Sequence, residues 1–125
     1  MGRIRQRITV GGEDVWTLFD SGARNTYVTP GVAAHLATTD LPYPTHTKLG
    51  GETKVSVKAA VLVGQVGGKP FHTEAMVIDR IGEDEEGRAI EVLFGALAMQ
   101  QWGIRLIPET EQLDLSHYPS EFLEF

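Results

Sequence analysis

The chain of 125 residues contains no cysteine. That excludes a disulfide scaffold, a thiolate zinc site and a cysteine nucleophile. No apolar run approaches eighteen residues, so no segment is expected to span a membrane. The first residues, Met-Gly-Arg-Ile-Arg-Gln-Arg, carry charge with no apolar stretch behind them, unlike a signal peptide. Gln6 stands where a myristoylation site needs Ser or Thr. Basic residues are also few. Eleven Lys and Arg against seventeen Asp and Glu leave a net charge of −6, which argues against a nucleic-acid partner. His35, His46, His72 and His117 are scattered with no metal spacing, so no cofactor is expected. The expectation is a soluble cytoplasmic protein with no membrane contact.

With 42% hydrophobic and 22% charged residues, the composition is that of one globular domain. The pattern is one of strands. Ile4, Gln6, Ile8 and Val10 alternate with Arg3, Arg5 and Arg7, a half-buried strand with a charged outer face. Gly11-Gly12 marks a hairpin turn. The apolar strand Val15 to Phe19 follows and ends at Asp20-Ser21-Gly22-Ala23. Thr29-Pro30 should open a short helix through about Ala37. Residues 38–47, with Pro42 and Pro44, read as a loop, and Thr45 onward as a hairpin tipped by Gly50-Gly51. In its return strand Val55, Val57, Ala59, Val61 and Val63 share one face, with Lys54, Ser56 and Lys58 on the other. Phe71 to Ile78 runs back. The acidic run 82–88 reads as a solvated loop. Ile90 to Phe94 is a buried strand, and Ala96 to Trp102 has helical composition with Leu97 and Trp102 facing inward. Residues 104–107 and 113–115 are closing strands. The fold class is therefore mainly β: a small, antiparallel, barrel-like domain over residues 1–115 with one or two short helices and a tail, 116–125.

Asp20 is the residue that structure alone does not demand. An unpaired carboxylate at the end of a buried strand is expensive. Its followers are small: Ser21 offers a hydroxyl, Gly22 allows close backbone approach, and Ala23 leaves space. Such a loop suits a chemistry in which two carboxylates share a proton, one activating water and the other polarising a carbonyl. Asp-Ser-Gly is also ordinary turn chemistry.

The sequence resembles the retropepsin-like aspartic proteases over roughly residues 3 to 115. Leu18-Phe19-Asp20-Ser21-Gly22-Ala23 is similar to the family's first signature, and Val92-Leu93-Phe94-Gly95 to its second. Leu49-Gly50-Gly51-Glu52 lies where the family places its flap. The resemblance implies that Asp20 is catalytic and that Ser21, Gly22 and Ala23 support its loop. It also implies that Arg24 and the flap residues Leu49, Gly50, Gly51 and Glu52 meet substrate, and that Leu93, Phe94 and Gly95 back the loop. Departures are visible. Ser21 replaces the commoner Thr but keeps the hydroxyl that hydrogen-bonds between the two catalytic loops. Arg24 stands where retroviral members have an acidic residue, and Ala96-Leu97 where they carry an Arg that braces the dimer.

The chain supplies one Asp in this motif and the chemistry needs two, so the resemblance implies a homodimer hydrolysing peptide bonds at its twofold axis, with an acidic optimum. Two rivals stand beside it: a silent retropepsin-like dimerisation or peptide-binding module, and an unrelated small barrel with Asp20 in a turn.

Overall fold

The computed structural model describes residues 2–124. The chain begins with a hairpin, β1 (Arg3–Val10) and β2 (Glu13–Asp20), and a short strand, β3 (Tyr27–Val28). Helix α1 (Pro30–Ala33) leads into the two long strands β4 (Thr38–Leu49) and β5 (Glu52–Val66), then β6 (Lys69–Val77). Two-residue strands β7 (Gly82–Glu83) and β8 (Ala89–Ile90) precede β9 (Val92–Phe94) and helix α2 (Ala96–Gln101). The strands β10 (Arg105–Ile107) and β11 (Gln112–Asp114) form a small separate hairpin.

Seven strands make one sheet in the order β1-β2-β9-β3-β6-β5-β4, and a pairing of Thr9 with Gln65 joins β1 to β5 and closes a ring. The mainly β class is as expected. Most pairs are antiparallel, but β2–β9 and β3–β6 are parallel. A parallel pair needs a long connection, and the chain between residues 20 and 92 supplies one for β2–β9.

The β1–β2 register follows from the Gly11-Gly12 turn. Both glycines have positive φ, 60° and 80°, the pairing that matches strand twist. Val10 opposes Glu13, and the ladder runs unbroken to Arg3 opposite Asp20.

Several expectations need correction. Residues 38–44 are strand, not loop. β4 is the edge of the sheet, and its register breaks between Asp40 and Thr45. Pro42 and Pro44 sit in that break, where no ladder donor is required. Helix α1 stops at Ala33 because the next bonds, His35 N–H to Val32 and Leu36 N–H to Ala33, tighten to three-residue spacing. Leu97 is half exposed, whereas Trp102 is buried. The acidic run 82–88 is largely exposed, as expected of a solvated loop, with Gly82–Glu83 paired as β7 and two carboxylates tied to the β1–β2 hairpin. Arg5 Nη2 meets Glu85 Oε1 at 2.7 Å, and Trp16 Nε1 donates to Asp84 Oδ2 at 3.0 Å. Arg88 and Arg7 lie over the Trp16 ring at 4.3 and 5.6 Å. Asp84 also accepts the backbone N–H groups of Arg88 and Glu86, and the first of these chiefly holds its carboxyl below the ordinary 3.8.

Two buried clusters result. The larger includes Ile8, Phe19, Val28, Leu62, Phe71, Phe94 and Trp102. Phe94 lies 4.8 Å from Phe19 and 5.2 Å from Phe71, ring centre to ring centre. The smaller holds Leu18, Tyr27, Ile78, Ile90 and Leu93. On β5 the inner face is Ser56, Ala60, Leu62 and Val66, and the valines 55, 57, 61 and 63 point outward. The described tail has no strand. Its Tyr118 stacks on Trp102 at 5.9 Å and Phe122 meets the same ring edge-on at 5.5 Å.

Candidate active site

Asp20 ends β2 at the point where the buried strand meets the surface. The residue is 6% exposed, while Ser21 and Gly22 beyond it are exposed. The turn is closed by its own atoms. Ala23 N–H bonds the Asp20 carbonyl at 3.1 Å, and Gly22 N–H donates to Asp20 Oδ1 at 2.8 Å. The second carboxylate oxygen, Oδ2, accepts from Arg3 Nε at 3.2 Å. Both oxygens of a nearly dry carboxylate are therefore engaged, which offsets its burial.

The second signature backs this loop directly. β9 runs parallel to β2 with Leu93 beside Leu18 and Phe94 beside Phe19. Gly95 N–H donates to the buried Thr26 hydroxyl at 3.0 Å. Ala96 N–H reaches the Ala23 carbonyl at 2.6 Å, and Leu97 N–H the Arg24 carbonyl at 3.1 Å. The start of α2 is thus hydrogen-bonded to the loop bearing Asp20. Gly95 is required for space: a Cβ there would run into the Asn25 carbonyl.

The Gly50-Gly51 tip lies at the end of the β4–β5 hairpin. Leu49 packs partly buried against the cluster of Leu18, Tyr27 and Leu93, with Ala23 at its margin. The Tyr27 and Thr47 hydroxyls share a hydrogen bond of 3.1 Å. Lys54 Nζ lies 3.2 Å from Asp79 and 3.3 Å from Glu52. Its hydrogen bond to Asp79 raises the Lys54 pKa and lowers that of Asp79. The hairpin thereby rests on an apolar wall beside the Asp20 loop. Arg24 is exposed and makes no ion pair among the described residues.

Of the candidate residues, Asp20 to Ala23 and Leu93 to Gly95 form one hydrogen-bonded unit, with Leu49 against its flank. Glu52 contacts Lys54. The site also holds Gly2, Arg3, Thr26 and Thr47, which the sequence reading did not single out. Arg3 was legible in principle, because a two-residue turn at Gly11-Gly12 places it opposite Asp20. No group of three His, Asp or Glu side chains is placed to hold a metal among the described residues.

No protein-family model matches the sequence, and no curated protein matches it. Solved structures do. The chain is similar to the retroviral protease-like domain of Ddi1 from Leishmania major, with a TM-score of 0.66 at 13% identity over 95% of this chain and 94% of that one. The fold is retropepsin-like. A second similar structure is the EIAV protease complexed with the inhibitor HBY-793, with a TM-score of 0.58 at 16% identity, covering 85% of this chain and 93% of that one. A third is the foamy viral protease-reverse transcriptase in complex with an RNA/DNA hybrid, with a TM-score of 0.56 at 13% identity over 80% of this chain and 12% of that one. The retropepsin-like fold accounts for the parallel β2–β9 pairing, the adjoining helix α2 and the long β4–β5 hairpin. No helix among the described residues is long and apolar enough to cross a membrane.

Proposed function

We propose that the chain is an aspartic endopeptidase that works as a homodimer, each copy contributing Asp20. The observation that carries this reading is the Asp20 loop itself: a carboxylate almost withdrawn from water, fixed by Gly22 N–H, and backed by the Phe94-Gly95 strand. One ionised Asp20 takes a proton from water as its oxygen adds to the scissile carbonyl carbon. The other, protonated, donates to the carbonyl oxygen. Collapse of the tetrahedral species breaks the C–N bond, and the proton passes to the departing amine. The Leu49–Glu52 tip serves as the flap over the bound peptide. The wall of Leu18, Tyr27 and Leu93 favours apolar side chains beside the cut.

The test is digestion of a mixed peptide library between about pH 4 and pH 7, wild type beside Asp20→Asn, at concentrations where sedimentation shows a dimer. Cleavage by wild type alone is expected. Equal cleavage by the variant would overturn the assignment.

A second reading is a peptide-binding or dimerisation module without turnover. It draws on the ion pair that covers the Asp20 carboxylate with Arg3. No cleavage by a folded wild-type dimer would favour it.

A further inference from the structure

The two residues a dimeric site would need are both already occupied by the beginning of the chain. Arg3 Nε bonds Asp20 Oδ2 at 3.2 Å. Gly2 N–H donates to Ser21 Oγ at 2.9 Å, Ser21 Oγ to the Gly2 carbonyl at 3.3 Å, and Ser21 N–H to the same carbonyl at 3.1 Å. Four hydrogen bonds thus tie two consecutive residues to two consecutive residues.

We infer that Gly2 and Arg3 form a strap that stands in the place of the second subunit, so that self-capping and assembly compete. This rests on the dimeric reading above. A twofold axis that brings two Asp20 carboxylates within a few ångströms must also bring the adjoining Ser21 turns together, because an isologous contact repeats itself across the axis. Gly2 and Arg3 lie on those same atoms. Two straps left in place would fill the room at the axis that water and a scissile peptide require, and would keep the Ser21 turns apart. The Arg3 side chain is 64% exposed against 9% for Asp20, so the guanidinium itself loses little on release. The nearly dry carboxylate it leaves takes a new partner in the dimer, the proton shared with the second Asp20. A groove of about 420 Å³ beside the strap, lined by Gly2, Ser21, Met99, Ile104 and Leu106, opens onto the same turn. It gives the second copy an apolar surface to cover.

The experiment is the dimerisation constant by sedimentation, measured from nanomolar to high micromolar concentration, for wild type, Arg3→Ala and Arg3→Gln. Both variants should associate roughly threefold to tenfold more tightly, and turnover per subunit in dilute solution should rise with the dimer fraction. Arg3→Gln keeps a donor without the charge, so it answers the question if Arg3→Ala does not fold. One shared constant for all three proteins overturns the strap. In that case cleavage abolished by Asp20→Asn still upholds the peptidase. If the variants do associate more tightly but no dimer cleaves, the strap stands and the peptidase falls.

Discussion

Val92 and Val57 are the same residue type, yet one is fully buried and the other 55% exposed. The first belongs to the crossing of β2, β9 and β3, where Val92, Leu93 and Phe94 are all buried. The second belongs to the β4–β5 arm, where burial alternates and the valine face meets solvent. Their glycines differ in the same way. At Gly95 a Cβ has no room, whereas around Gly50 and Gly51 nothing lies within 4 Å and the requirement is for positive φ, 59° and 83°. The crossing fixes geometry by exclusion. The arm is shaped by backbone conformation, with open space around the glycines of its tip. The proposed hydrolytic site, with a hairpin that closes over it, would need both.

The sharpest way to break the contrast is in the crossing. Phe94→Ala removes a ring packed on Phe19 and Phe71 and is expected to lower the unfolding free energy by about 3–5 kcal/mol in urea titration. Gly95→Ala drives a methyl group into backbone that cannot yield, for a loss of about 3 kcal/mol by the same measurement. In the arm, Gly51→Ala meets no neighbour and strains only φ. A loss of about 1 kcal/mol is expected, and a value as large as that of Gly95→Ala would erase the distinction.

The smallest effect concerns pH. The hydrogen bond from Lys54 holds Asp79 below the ordinary 3.8. A lowered folded value means that the contribution is complete above 3.8 and is lost as pH falls through the lower folded value. The same bond raises Lys54 above 10.5, so that contribution is complete below 10.5 and is lost as pH rises through the higher folded value. Between these limits the tie is intact. The amide protection factor near Lys54, corrected for the intrinsic exchange rate at each pH, should therefore fall as pH is taken below 3.8, while protection at Leu93 and Phe94 stays unchanged. Loss of protection at both together would mean that the arm does not move independently.

The two signatures and the hairpin tip were legible in the sequence because each joins turn chemistry to an apolar run: Phe19 before Asp20-Ser21-Gly22, Phe94 before Gly95, Leu49 before Gly50-Gly51. Residues 38–44 were not legible. Their prolines argue against a strand, and only the edge position of β4 and its register break make them tolerable. The outward turn of the valines on β5 was equally hidden. Alternation assigns residues to two faces but does not say which is inside, and here Ser56 is buried with the valines outside. The strap on Asp20 was concealed by composition, since Arg3 reads as one charge in a surface stripe until the hairpin register is counted.

The parallel ladder between β2 and β9 joins Thr17 to Val92, positions separated by more than half the chain. Contacts so distant in sequence form only after a large loop has closed, which slows folding and makes it cooperative. The Asp20 loop takes its final shape from that ladder and from the helix that follows it. An incomplete or locally unfolded chain therefore has no assembled Asp20 loop. Any hydrolytic activity should appear on refolding only together with the last structural phase, never ahead of it.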